Sequence, residues 1–346
     1  MSDSIKTIDV HAHVDIPAIM PLVQGQPGLA AEQAAQFATF GPDSMKLNIE
    51  LASTSYRQML DELSVRLGYM DAGGIDVQAV SVVPTLYHYW AEAALAADIV
   101  AAANDDIARV TAEAPERLIG LAAASLQHPE LAAEQLRAAT ARGLRGVEIS
   151  TSVAGRELSD RSFDPFWDAA QSLGSFVFIH PWGCSLGSRL AVSYLGNVVG
   201  NPTETTVALN HLVFGGVFDR FPQLRICGAH GGGYFPHYLA RADHAYRVRP
   251  ESRTMQREPS AYLDRLYFDS LVYSPGELSR LVQAVGADHV VVGTDYPFDM
   301  SVEDPIARLD AIELPRAERD AIAGGTAAGL LGLTRQPTGT LTMPSF

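Results

Sequence analysis

Lysine is almost missing from this chain of 346 residues: it occurs only as Lys6 and Lys46, and arginine supplies every other basic side chain. Neither lysine stands at the end of an apolar, strand-like run, so a site built at such ends has no Schiff-base lysine. Cysteine is equally scarce. Cys184 and Cys227 have no paired spacing, which excludes a disulfide scaffold and a cysteine-based structural zinc site. Positive charge is short overall, with a formal net charge of −15, which argues against nucleic acid or anionic membrane as the main partner. No apolar run approaches the ~20 residues that cross a bilayer. The start, Met1-Ser2-Asp3-Ser4, lacks the basic and apolar blocks of a signal peptide. These absences lead us to expect a soluble protein of a reducing compartment, the cytoplasm.

What is present is hydrophobic material, 47% of the chain, arranged in alternation. Short runs rich in β-branched residues fall at 6–11, 78–84, 118–126, 146–151, 176–180, 225–230, 266–272 and 289–294. Segments of helical period lie between them at 57–73, 90–114, 130–142, 164–173, 203–218, 234–247, 276–285 and 304–312. Strict βα alternation predicts a parallel sheet, and eight units predict closure into a (β/α)8 TIM-type barrel. An open doubly wound sheet is the alternative, but no Gly-rich dinucleotide fingerprint follows the first strand. Residues 15–56 break the rhythm with Pro17, Pro21, Gly25, Pro27, Gly28, Gly41 and Pro42, and read as an insertion after strand one. The expected domain is therefore 1–334, followed by an aperiodic tail at 335–346.

Three motifs close strand-like runs: Asp9-Val10-His11-Ala12-His13, Ile179-His180-Pro181-Trp182 and Gly293-Thr294-Asp295-Tyr296-Pro297-Phe298. Side chains two apart on a strand share a face, so His11 and His13 are expected to point together into the barrel. In a barrel the ends of strands one, five and eight meet at one mouth. There His11, His13, His180 and Asp295 form a mixed nitrogen and oxygen set suited to Zn2+, with Mn2+ or Fe2+ as alternatives. A bridging carbamylated lysine is unavailable and Glu148 on strand four is expected to make internal hydrogen bonds, so one metal is predicted. His230, ending Arg225–Ala229 and followed by three glycines, is placed to move a proton, or else to serve as a fourth nitrogen ligand. Arg241, about three turns further on, reads either as a carboxylate clamp or as a surface or subunit-interface residue. Trp182 and Phe298, which flank the ligand motifs, are candidates for the substrate wall.

The three motifs, with Val77–Pro84, Phe214-Gly215-Gly216-Val217-Phe218 and Ala229-His230-Gly231-Gly232-Gly233-Tyr234-Phe235-Pro236, resemble the amidohydrolase superfamily over most of the chain. The similarity is to its α-amino-β-carboxymuconate-ε-semialdehyde decarboxylase-like branch. That resemblance implies a distorted (β/α)8 barrel with one metal, usually zinc, held by His11, His13, His180 and Asp295. It also implies His230 as the acid/base beside a water activated by the metal. Arg241 matches a family arginine that reaches the neighbouring subunit's site, which implies a homodimer.

Two positions depart from the family pattern. Ser53-Thr54 stands where the family carries an arginine that holds a substrate carboxylate, with Arg57 or Lys46 as displaced candidates, and Asn197 stands where it carries a tryptophan. The expected activity is nonoxidative decarboxylation of a small unsaturated or aromatic carboxylic acid. The alternative is metal-dependent hydrolysis of an amide, ester or lactone, or hydration, by the same activated water.

Overall fold

The computed structural model of the chain describes residues 6–335 and 341–342. Eight parallel strands form its centre: β1 (Ile8–Val14), β2 (Val77–Val82), β3 (Leu118–Ala122), β4 (Gly146–Ser150), β5 (Phe176–His180), β6 (Arg225–Gly228), β7 (Leu266–Asp269) and β8 (Val290–Val291). They are hydrogen-bonded in sequence order. The first and last strands meet through Val10 N–H to Val292 O at 2.9 Å and His13 N–H to Tyr296 O at 2.8 Å, which closes the barrel. All eight expected strands are present, with ends shifted by a few residues. The last is the shortest in regular pairing, because Gly293-Thr294-Asp295 leaves the ladder to reach the mouth.

Strand alternation divides the apolar residues into two layers. Phe176 and Phe178 point into the barrel with Ile8, Val10, Ala79, Leu121 and Cys227. Val177 and Ile179 point outward, into the larger layer under the helices with Val80, Val147, Leu209 and Leu281. The helices are bounded by local chemistry. Ser274 accepts the Glu277 N–H at 3.2 Å and starts Pro275–Val285, while left-handed Gly174 ends Asp164–Leu173.

The segment after β1 is more regular than its composition suggests. It contains a helix over Pro27–Ser53, bent at Gly41 (φ 76°, ψ 168°), then shorter helices over Ser55–Asp61 and Leu63–Gly73. Gly41 breaks the first half, and Pro42 sits where a new helical start tolerates a missing N–H. Proline and glycine here mark one bend, not an irregular loop. Close packing explains the glycine: a β-carbon at Gly41 would lie 2.0 Å from Ala191 O, in the loop after β5. At the boundary of the expected tail, Thr334–Arg335 pairs antiparallel with Leu341–Thr342; residues 336–340 and 343–346 lie outside the described residues.

Candidate active site

The two histidines of β1 reach the barrel interior through an irregularity in that strand. Ile8 and Val10 already point inward, so strict alternation would send His11 and His13 the other way. The β1–β2 register gains one residue between Asp9 and Ala12, a β-bulge that reverses the facing. The His11 ring then lies 4.8 Å from the inward Phe178 ring and 5.2 Å from His13.

The sequence-predicted ligands converge. The His180 ring is 5.0 Å from His11 and 5.1 Å from His13, centroid to centroid. Asp295 Oδ1 lies 3.3 Å from both His11 Nε2 and His13 Nε2. Buried atoms lacking any hydrogen-bond partner include His11 Nε2, His13 Nε2, both His180 ring nitrogens, His230 Nδ1 and Asp295 Oδ1. Burying so many unpaired polar atoms at one point is costly, unless they share a cation.

The tautomers support that reading. His11 Nδ1 is held by Asp269 Oδ2 at 2.7 Å, and His13 Nδ1 faces Val82 O at 3.0 Å. Each acceptor takes the Nδ1 proton and presents the Nε2 lone pair to the centre. Burial by itself would lower the His11 imidazolium pKa, but Asp295 and Asp269 raise it to about 10. Burial and the neighbouring His11 and His13 charges push His180 well below the ordinary range. Burial would raise the Asp295 carboxyl, yet the His11 charge and hydrogen bonds hold it well below its usual value. Thus the two carboxylates favour positive charge beside His11, His180 is held neutral, and the donor set fits a divalent ion.

His230 completes the cluster. Its ring is 5.3 Å from His11 and 5.2 Å from His180, and its Nε2 is 3.7 Å from Asp295 Oδ2. One ligating atom each from His11, His180, His230 and Asp295 lies within 4.8 Å of the others, a set that contains His230 and not the expected ligand His13, so His230 can reach an ion. Two features set it apart from the strand histidines. Its side chain is 11% exposed against 0% for His11 and His13, and its Nδ1 lacks the acceptor that orients those two rings. It also occupies a left-handed backbone, φ 56°, as does Asp295 at φ 62°. Such strain concentrates at functional sites. The glycine after it is required, since a β-carbon at Gly231 would sit 2.5 Å from Val272 Cγ1.

Sequence reading missed Asp269, at the end of β7. Besides His11 it accepts the backbone N–H groups of His230 at 3.0 Å and Gly231 at 2.7 Å. A carboxylate closing the apolar run Leu266-Tyr267-Phe268 was the available signal, the same one that marked Asp295. Glu148 behaves as expected, accepting from Ser81 Oγ and the Tyr87 hydroxyl at 2.6 Å each.

Phe298 packs against the site, with its ring 5.3 Å from His13, and Trp182 stands half-buried with its ring 6.4 Å from Phe40 of the insertion. The cation candidates are not gathered in. Arg57 pairs with Asp61 at 3.5 Å on the helix Ser55–Asp61, and among the described residues Lys46, Asn197 and Arg241 make no hydrogen bond or ion pair with the cluster. Arg241 is exposed on the helix Phe235–Val248.

An α/β barrel with a histidine–aspartate metal site at the strand ends defines a class of metal-dependent enzymes. Residues 8–333 match the family model described as Amidohydrolase. The 2-amino-3-carboxymuconate-6-semialdehyde decarboxylase of Dictyostelium discoideum is 36% identical over 273 residues, 78% of this chain and 76% of that protein. The gamma-resorcylate decarboxylase of Rhodococcus jostii is 29% identical, over 80% of this chain and 90% of that one. Among solved structures, the 5-carboxyvanillate decarboxylase of Novosphingobium aromaticivorans, complexed with manganese and 4-hydroxy-3-methoxy-5-nitrobenzoic acid, superposes with a TM-score of 0.82. It is 23% identical, covering 96% of this chain and all of that one. The chain belongs to the amidohydrolase family, in its decarboxylase branch. It is a metal-dependent enzyme of the carbon–carbon lyase class. These relatives lend no support to the hydrolase or hydratase alternative.

Proposed function

We propose that the chain releases carbon dioxide from a small aromatic or unsaturated carboxylic acid, using one divalent ion held by His11, His13, His180 and Asp295. The observation that carries this is the convergence of unpartnered ring nitrogens on a single buried carboxylate, with the more accessible His230 beside it. A bound ion would supply Lewis acidity that orients and polarises oxygen atoms of the substrate. His230 would carry the proton. It passes to the carbon that bears the carboxylate, drawing on the substrate's π electrons; the carbon–carbon bond then breaks, its electron pair restores the π system, and carbon dioxide leaves. Asp269 positions two partners at once, His11 through its ring and His230 through its backbone. Phe298 and Trp182 would exclude water from one side of the substrate.

The nitrogen-rich donor set favours zinc, and manganese is the competitor that a relative's structure contains. A second reading gives His230 a place on the ion as the fourth nitrogen ligand, favoured by its reach to the other ligating atoms. The homodimer rests on the helix Phe235–Val248, where Tyr238 is 67% exposed and Arg241 is exposed nearby. We place the barrel unit at 1–334, with 15–56 built into its mouth, and the protein in the cytoplasm. Both cysteines are free, and no described helix is long and apolar enough to cross a membrane. The decisive experiment is carbon dioxide detection across a panel of hydroxybenzoate and muconate acids, with metal analysis of the same preparation. Loss of one carbon from a substrate confirms the reading; an uncleaved or hydrolysed product set overturns it.

A further inference from the structure

Three chain segments meet at one exposed carboxylate on the rim of this site. Asp299 lies four residues beyond Asp295, and its backbone N–H donates to the Tyr56 hydroxyl at 2.7 Å. Tyr56 comes from the insertion, where its ring packs edge-on against Phe298 at 5.7 Å, and Phe298 in turn covers His13. From the loop after β5, the Tyr194 hydroxyl donates to Asp299 Oδ1 at 3.4 Å. Tyr194 is held there by an unusual backbone, since it and Ser193 both occupy the left-handed region at φ 60° and 54°. Two consecutive non-glycine residues in that region are costly. Burial pushes the Tyr56 and Tyr194 hydroxyls upward, and the Asp299 charge adds to it, so both stay protonated.

Charge makes the arrangement specific. No lysine, arginine or histidine forms an ion pair with Asp299 among the described residues, and the residue is exposed four positions beyond Asp295. Most described arginines are already paired, as Arg57 is with Asp61. This rim therefore offers a hydrogen-bond acceptor and a negative charge where a dicarboxylate would need a cation. An acceptor of this kind rewards a hydroxyl or amino group and repels a second carboxylate.

We propose that Asp299, set between Tyr56 and Tyr194, is a specificity-determining residue that accepts a hydrogen bond from a hydroxyl or amino group on the substrate and disfavours acids with a second carboxylate at that position. The inference rests on the decarboxylase reading and adds the substrate's second functional group to it.

The test compares 3-hydroxybenzoate with benzene-1,3-dicarboxylate, which place a donor or a second carboxylate at the same ring position. Dissociation constants are measured by calorimetry on metal-loaded wild type, Asp299→Asn and Tyr194→Phe proteins. The wild type is expected to prefer the hydroxy acid. Asp299→Asn is expected to shrink that preference by about fivefold or more, by tightening the dicarboxylate as one repelling charge is removed. Tyr194→Phe is expected to shrink it less, by loosening the hydroxy acid. An unchanged preference in Asp299→Asn, or equal weakening of both acids in both variants, overturns the inference. Carbon dioxide release assayed in parallel keeps the two readings apart. Release with an unchanged preference sinks only the Asp299 role, and an Asp299-dependent preference without release on any acid sinks only the decarboxylase.

Discussion

Asp269 Oδ2 lies 2.7 Å from His11 Nδ1, with both side chains fully buried. The same carboxylate takes the backbone N–H groups that fix His230 and Gly231. One side chain therefore sets the tautomer of a proposed metal ligand and the position of the proposed proton carrier. Replacing it with Ala is expected to weaken metal affinity about 10- to 100-fold, as loss of such supporting partners does. Competition with a chromophoric chelator measures this. Wild-type affinity in Asp269→Ala would show that His11 needs no orienting acceptor.

His230→Ala separates the two readings of that histidine. As the proton carrier, it should lose about 10²- to 10⁴-fold in turnover while its metal content stays at the wild-type ratio. Metal lost together with turnover would make His230 a ligand. The readouts are elemental analysis and carbon dioxide release on one preparation.

Removal of the ion should abolish turnover and lower the melting temperature, because a ligand bound only by the folded chain stabilises it by mass action. Zinc and manganese are then added back separately, and the ion that restores the higher kcat/KM at equal occupancy identifies the working cofactor. Full turnover in chelated protein would remove the metal from the mechanism.

Arg241 tests the homodimer. Mixing Arg241→Ala chains with His230→Ala chains should regenerate activity if the arginine serves the neighbouring site. Random pairing of two inactive chains restores about a quarter of the sites. No recovery, together with a sedimenting mass of one 37.2 kDa chain, would leave Arg241 a surface residue.

Arg66 is expected to govern stability, not chemistry. It is 2% exposed, donates to Gln78 Oε1 at 2.7 Å and to His13 O at 2.6 Å, and lies 4.6 Å over the Tyr296 ring. Gln78 passes the connection to Asp9, which also binds Thr294 across the barrel seam. Arg66→Met leaves these acceptors buried and unpaired, at a cost of about 1–3 kcal/mol for each. Denaturant unfolding measures it, and a change below 1 kcal/mol would show that the network repacks.

Periodicity made the barrel readable in advance, because eight strands with β-branched runs and amphipathic segments between them admit few other closures. Pro181 and the glycines after His230 also marked strand ends, so His180 and His230 could be placed at the mouth. The insertion was harder. Gly41-Pro42 resembles a loop locally, and only packing against Ala191 shows that it is a bend within a helix. Asp269 closes an apolar run as Asp295 does, but its role depends on His11, which arrives from 258 residues away.

Residue types and their strand-end positions were determined by the sequence alone: four imidazoles and a carboxylate with no lysine among them, the basis for proposing one metal at that point. The facing of His11 and His13 was decided by the tertiary structure. Ile8 and Val10 claim the inward side of β1, and alternation would turn both histidines outward, but pairing with β2 admits one extra residue between Asp9 and Ala12. A bulge belongs to the register between two strands, so neither strand's sequence contains it. The same holds for the rim, where Asp299, Tyr56 and Tyr194 become neighbours only when the barrel closes.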